Sequence, residues 1–256
     1  MIPLDLACLP YQQEQIVHVQ LEDVEEFSGS NDETIFVYFV RHGESAFNIL
    51  HGGIKYVQGQ SPHVELTEKG HQQAEKLTNQ MAPRMQNLTP RIVTSTAKRA
   101  MDTAKPLLNA LKLPEYAHEE FLELGSGKWE GVSKDDDEYL KDYNKWKDLS
   151  ADQKFYAPKV STGESYSEVA RRALSGLSKV LAGLQGNETI FVYSHYMLMN
   201  AVAISLSQME LSHEPESQLP DLGIENGDIV MVEIPRGSSV EEGRVKMVIH
   251  SKLNKD

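Results

Sequence analysis

The chain has 256 residues, 40% hydrophobic and 25% charged, which is ordinary globular composition and enough for one large α/β domain, two small ones being the lesser alternative. A formal charge of −13 argues against non-specific binding to nucleic acid or an anionic membrane, since both need basic surface; a phosphate held by a few local arginines stays open. The single cysteine, Cys8, excludes an intrachain disulfide, fits a reducing compartment and reads as a small apolar filler.

The first forty residues contain no Lys or Arg, which speaks against a secretory signal or an arginine-rich presequence. No run approaches the apolar length of a membrane span, so a cytoplasmic protein is the expectation. Residues 1–33 read as a partly ordered N-terminal arm. Within it Ile16–Leu21 has the pattern of a short strand, Glu22–Glu26 is acidic and Ser28–Asp32 is turn-like. The main domain is expected over residues 34–256.

Thr34–Val40 is an unbroken apolar, β-rich run that stops at Arg41-His42-Gly43, the pattern of a parallel strand buried on both faces. Thr67 is placed to cap a helix with Ala74, Leu77 and Met81 on one face. Arg91–Thr94 reads as a short strand ending at Ser95. From Thr96, apolar residues at Ala97, Ala100, Met101, Ala104, Leu107, Leu108 and Leu111 follow helical spacing, with Pro106 as a kink. Asp135–Asp148 is charged but carries Tyr139, Tyr143 and Trp146 in helical spacing, as a covering helix would. Val169, Ala173, Leu177, Val180, Leu181 and Leu184 mark a further helix.

Glu188–Tyr193 then repeats Glu33–Tyr38 letter for letter and runs into a second histidine, His195. Nothing around the two copies matches, so two buried strands under similar constraints explain it better than a duplication. A helix should follow His195, and Asp228–Ile234 and Arg244–His250 read as strands joined by the polar loop Pro235–Ser239. Alternating strands and helices predict a three-layer α/β/α sandwich with a largely parallel central sheet. In such sheets working residues gather beyond the carboxyl ends of the strands, where Arg41, His42, Ser95 and His195 all fall.

An imidazole just after a buried strand is held rigidly, and Gly43 would let a phosphate-sized group approach the backbone. The guanidinium of Arg41 offers forked donors that match phosphate oxygens and disfavours imidazolium at His42. Helix N-termini after Ser45 and Ser95 would add donors. No close His/Cys/Asp/Glu set has metal-ligand spacing, so neither a metal nor another cofactor is expected.

The run Phe39-Val40-Arg41-His42-Gly43-Glu44-Ser45-Ala46-Phe47-Asn48 resembles the signature of the histidine phosphatase superfamily, in the branch that contains the cofactor-dependent phosphoglycerate mutases. Further motifs follow in family order. They are Leu66-Thr67-Glu68-Lys69-Gly70 with Gln73-Ala74; Ser95 with Arg99-Ala100 and Thr103-Ala104; Leu122 to Gly131; Gly163-Glu164-Ser165; and Ser194-His195. The resemblance spans about residues 34–200 and implies a phosphoglycerate mutase-like fold. By that resemblance His42 becomes phosphohistidine, Arg41 and Arg99 grip the transferring group, and His195 donates to it from the opposite side. Glu123 protonates the leaving alkoxide and then takes a proton from water. Asn48 helps order the phosphate pocket, and Glu44 is a structural support.

Departures from the family pattern are Tyr196-Met197 in place of the usual glycine after the second histidine, His63 near the place of a usual aspartate, and a long loop from Ile49 to Glu65. Lys55, Tyr56 and Gln58 in that loop are candidates to touch substrate, though a solvated loop is the favoured reading, and Lys128 and Arg171 carry only weak claims on substrate. The leading reading is a phosphatase acting on a small phosphorylated substrate. One alternative is a 2,3-bisphosphoglycerate-dependent phosphoglycerate mutase, disfavoured because Gly131–Gly163 holds no Pro-rich, Arg-containing lid. The other is a catalytically weak member that serves as a protein-interaction module through the acidic arm. The oligomeric state stays open, a homodimer being one option.

Overall fold

The computed structural model describes residues 16–50 and 52–253; Cys8 lies outside them. Seven strands form one sheet. In chain order they are β1 (Val17–Gln20), β2 (Thr34–Arg41), β3 (Thr89–Ser95), β4 (Tyr116–His118), β5 (Glu188–Ser194), β6 (Ile229–Pro235) and β7 (Arg244–His250). Their spatial order is β1-β7-β6-β2-β5-β3-β4. β2, β5, β3 and β4 run parallel, β1 runs parallel to β7, and β6 is antiparallel to both β2 and β7. The expected largely parallel sheet is thus the observed one.

The central strands lack alternation because both faces are covered. Val37, Phe39, Ile190 and Val192 pack with α5 (Tyr166–Ala182) and α6 (Tyr196–Leu206). Their neighbours Tyr38, Val40, Phe191 and Tyr193 pack with α1 (Glu68–Met81) and α2 (Lys98–Leu111) on the opposite side. Thr67 caps α1 by accepting from Gly70 N–H, as its position predicts, and Pro106 lies inside α2, which continues to Leu111.

The two identical hexapeptides lie on neighbouring parallel strands but are not in register. Tyr38 pairs with Phe191, so one copy is slid along the other and their rings stack 4.9 Å apart. The same register pairs Arg41 with Ser194, and His42 N–H donates to the Ser194 carbonyl at 3.0 Å. His42 and His195 therefore each leave the sheet one residue past a paired position. That register is what brings the two imidazoles to one place.

The described residues before Thr34, 16–33, are built into this layer. β1 is an edge strand, Leu21 and Phe27 are buried with the α1/α2 side, and Phe27 meets Tyr38 edge to face at 5.0 Å. The covering helix expected over Asp135–Asp148 is α3 (Asp137–Lys147), followed by α4 (Ala151–Tyr156), which sequence periodicity does not announce. Among the described residues no helix is long and apolar enough to cross a membrane.

Candidate active site

Beyond the carboxyl ends of β2 and β5 lies a cavity of about 270 Å³, walled in part by Arg41, His42, Asn48 and Glu123. Arg99 and His195 are fully buried and are not part of its wall. The His42 and His195 rings meet edge to face, centroids 5.2 Å apart.

His42 Nδ1 lies 2.6 Å from the carbonyl oxygen of Gly43. A carbonyl can only accept, so the proton sits on Nδ1 and Nε2 keeps its lone pair. Burial pushes the His42 imidazole well below its ordinary range, and the charges of Arg99 and then Arg41 push the same way. Burial is the larger cause, ahead of the adjacent guanidinium that the sequence emphasises. His195 is likewise held neutral, by burial first and then by Arg99, His42, Arg172 and Arg41. Its Nε2 is 2.8 Å from Ser95 Oγ, which already accepts from Ala97 N–H. A Ser95 hydroxyl that donates to Nε2 would put the proton of His195 on Nδ1.

His195 Nδ1 has no hydrogen-bond partner in the protein, and neither have Arg41 Nε and Arg99 Nε. Other arms of the guanidiniums donate to main-chain carbonyls. Arg41 Nη1 donates to the Ile224 carbonyl at 2.6 Å, while Arg99 Nη1 and Nη2 donate to the carbonyls of Ser61 and Gly59 at 2.8 and 2.9 Å. Burial lowers both arginines, Arg99 to about 10. Buried N–H donors without acceptors are costly, and here three of them gather at one imidazole.

Glu123 is buried and accepts three backbone N–H groups. Leu124 and Leu198 donate to Oε1 at 2.9 and 3.0 Å, and Met197 donates to Oε2 at 3.2 Å. Met197 and Leu198 belong to the first turn of α6, so this helix N-terminus faces the carboxylate. The helix expected directly after Ser45 is a single 3-10 turn, Ala46–Asn48, and α2 begins only at Lys98. Asn48 Oδ1 is engaged by Ser45 N–H at 2.9 Å, which leaves its amide NH2 for the cavity. Glu44 accepts from the Thr67 hydroxyl at 2.8 Å and its N–H donates to Gln73, a supporting position.

Gly43 has a different reason from the one expected. A Cβ there would stand 2.7 Å from the carbonyl oxygen of Gly70, and one on Gly70 would stand 2.0 Å from the carbonyl oxygen of Glu44. The two glycines let the start of α1 close against the loop that carries His42. Tyr196 opens α6 with ordinary helical backbone, so no glycine is required there. Its ring lies under the Arg41 guanidinium at 5.0 Å and its hydroxyl donates to Asp221 at 2.6 Å.

The loop from Ile49 to Glu65 is less solvated than its sequence suggests. Val57 N–H donates to the Val132 carbonyl, Gly131 N–H donates back to Val57, and Lys134 N–H donates to the Lys55 carbonyl. This ladder makes Tyr56 and Gln58 part of the cavity wall, whereas Lys55 stays exposed outside it. The segment between Gly131 and Gly163 also lends Lys134, Tyr139, Lys159 and Val160 to the wall, none of which the sequence singles out as lining residues. Lys128 packs on Trp129 away from the cavity, Arg171 is exposed, and His63 is exposed. The neighbour Arg172 does the supporting work instead, donating to the carbonyls of Glu120, Leu122 and Glu123.

Comparison with known proteins bears on the fold and the family. The chain is 25% identical over 187 residues to fructose-2,6-bisphosphatase of Saccharomyces cerevisiae, a match covering 72% of the chain but 37% of that protein. The chain thus spans well under half the length of that relative. The mycobacterial glucosyl-3-phosphoglycerate phosphatase has a similar fold, with a TM-score of 0.61 at 24% identity over 83% of this chain and 96% of that one. So does the Entamoeba histolytica phosphoserine phosphatase solved with 3-phosphoglyceric acid, with a TM-score of 0.60 at 22% identity over 79% and 95%. A family model matches residues 37–243, and the chain belongs to the histidine phosphatase superfamily, branch 1.

Proposed function

We propose that the protein is a phosphomonoesterase that passes the phosphoryl group of a small substrate through Nε2 of His42. The observation that carries this reading is the gathering of Arg41 Nε, Arg99 Nε and His195 Nδ1, three buried donors without protein partners, around a neutral imidazole. Donors desolvated in advance and aimed where charge develops are the main means of speeding phosphoryl transfer, each worth about 3–4 kcal/mol of barrier.

In the first step the N–P bond forms at His42 Nε2 as the P–O bond to the leaving alcohol breaks. Glu123 gives its proton to the departing oxygen. Oε1 already accepts two N–H groups, so Oε2 is the oxygen with room to carry that proton. The positive charge that grows on the ring is met by the Gly43 carbonyl at Nδ1. In the second step water attacks phosphorus, Glu123 takes its proton, and the N–P bond breaks to return neutral His42 and inorganic phosphate. Asn48 adds an amide donor at the cavity wall.

One observation speaks for the mutase as a second reading. The segment between Gly131 and Gly163 does carry cations, Lys134 and Lys159, to the cavity. Incubation with p-nitrophenyl phosphate, and separately with 3-phosphoglycerate plus its bisphosphate, separates the two. Hydrolysis that disappears in His42→Ala, with an acid-labile, base-stable phosphoprotein trapped during turnover, is the expected result. Isomerisation without hydrolysis establishes the mutase, and silence in both assays overturns catalysis and leaves the interaction module.

A further inference from the structure

The cavity carries more positive charge than a monoester can use. Its wall holds Arg41, Lys134 and Lys159 against one carboxylate, Glu123, with Arg99 directly beneath. The two arginines suffice for a phosphate dianion. Lys134 and Lys159 form no ion pair with any described carboxylate, and neither serves the phosphoryl-transfer steps.

Both lysines are held by the backbone rather than dangling from a loop. Lys134 follows the bridge between Tyr56 and Ser133, and its N–H donates to the Lys55 carbonyl at 2.7 Å. Lys159 N–H donates to the Glu164 carbonyl, and its ammonium lies over the rings of Tyr143 and Trp146 at 5.6 and 5.5 Å and 3.8 Å from Met197 Sδ. The two ammonium groups repel one another, with Lys134 depressing Lys159. Two like charges kept together in a partly desolvated wall are a cost to the empty protein that an anionic ligand relieves. The same wall carries the apolar and aromatic side chains of Phe47, Tyr56, Val57 and Met197.

We propose that Lys134 and Lys159 form a second anion subsite, so that the substrate is a small phosphate ester whose alcohol part bears a further phosphate or carboxylate. This rests on the phosphatase reading and narrows it. The scissile phosphate sits at His42, and the second anion spans the cavity to the lysine pair.

The test uses matched esters on the full chain: glucose 1,6-bisphosphate against glucose 6-phosphate for a second phosphate, and 3-phosphoglycerate against glycerol 3-phosphate for a carboxylate. The wild type is expected to favour the doubly charged member of at least one pair by about tenfold or more in kcat/KM, mostly through KM. Lys134→Met with Lys159→Met brings that ratio toward one, and Lys134→Arg with Lys159→Arg keeps it. The pair that shows the preference identifies the second anion. Hydrolysis of p-nitrophenyl phosphate with ratios near one in both pairs overturns the subsite and leaves the phosphatase intact. So does a preference that survives the double methionine variant with a native melting profile. Calorimetric titration of the same esters into His42→Ala reads the subsite without turnover. A preference there that is lost with the lysines upholds the subsite even where the hydrolysis assay fails, and equal affinities overturn it.

Discussion

Arg172 grips Glu164 with both arms of its guanidinium, Nε to Oε1 at 3.0 Å and Nη2 to Oε2 at 2.8 Å, while its other donors reach the main chain that ends in Glu123. Glu164 in turn accepts Gly125 N–H and the Gln60 amide. This pair joins three segments and anchors the main chain at Glu123, whose carboxyl lines the cavity. Arg172→Ala is expected to cost about 2 kcal/mol in urea unfolding, since both partners keep some solvent contact. A positioning role adds a signature that mere destabilisation does not. An alkyl phosphate needs its leaving group protonated and a p-nitrophenyl ester does not, so kcat on glycerol 3-phosphate should fall several-fold further than on p-nitrophenyl phosphate. Glu123→Gln should show the same split more strongly, and equal losses on both esters would remove Glu123 from the acid role.

Tyr196 stands where the family pattern has glycine, and its ring supports Arg41 from below at 5.0 Å. Tyr196→Phe keeps the ring and gives up only the hydroxyl's bonds to Asp221 and Asn200, so kcat/KM should stay within about threefold of wild type. Tyr196→Ala removes the cation–π contact in a partly desolvated site, worth about 1–2 kcal/mol, and should lower kcat/KM by about tenfold. A gain in rate from Tyr196→Gly would instead mean that the ring obstructs the site.

How far the sequence reveals such features depends on whether chain order or tertiary pairing creates them. His42 and His195 are legible because each ends a buried strand, and the strands are recognisable by their lack of alternation. Arg99 and Glu123 are reached through motif order. Lys134 and Tyr56 are not legible as wall residues, because they enter the cavity through the pairing of Val57 with Val132 and of Tyr56 with Ser133, and Lys159 is seated by the bond of its N–H to the Glu164 carbonyl. No periodicity announces a ladder between two irregular loops. Arg172 was hidden beside Arg171, since helix phase alone does not tell which of two adjacent arginines meets Glu164. Helix donors for a phosphate are expected after Ser45 and Ser95, whereas the α6 amides that hold Glu123 go unannounced, because a dipole can be assigned only once it is known which helix end faces which side chain.

His42 and His195 are neutral in the folded protein and depressed below the ordinary imidazole range by burial. An unfolded chain therefore binds more protons than the native one once pH drops below about 6.5. The stability these residues contribute is complete above that pH and is lost as pH falls below it, at up to about 1.4 kcal/mol per pH unit for each proton taken up. Unfolding free energies at pH 7 and pH 5.5 should differ for the wild type, and the difference should shrink in His42→Gln and again with His195→Gln. An unchanged pH slope in the double variant would show that other groups control acid unfolding.

Gly70→Ala tests how the nucleophile loop is seated. The added methyl would stand 2.0 Å from the Glu44 carbonyl oxygen, a backbone atom that cannot rotate away, and Gly70 has no unusual φ to confuse the outcome. The start of α1 must retreat from the loop or the loop must shift. A loss of about 2–3 kcal/mol is expected from overpacking alone. Because that loop carries His42, kcat should fall even at temperatures where the variant is fully folded. A stable variant with native kcat would show that the loop holds its place without α1.

Lys159 gives the second-anion preference a pH dependence of its own. Burial lowers its ammonium to about 8, helped by Lys134 and opposed by Glu123, while Tyr143, Trp146 and Met197 supply no formal charge around it. Below about pH 8 the group is charged and able to attract the further anion; above it the charge is lost. A bound anion favours the ammonium, so the loss appears somewhat higher in the complex than in the free protein. Between pH 7.5 and 9 the phosphates are already dianionic, so any change in the ratio of kcat/KM for glucose 1,6-bisphosphate to that for glucose 6-phosphate reports the protein. That ratio should fall by about threefold or more across the interval in the wild type. In Lys159→Arg it should stay flat, because a guanidinium does not titrate there. A wild-type ratio as flat as that of the arginine variant would remove Lys159 from the subsite and leave Lys134 to hold the second anion alone.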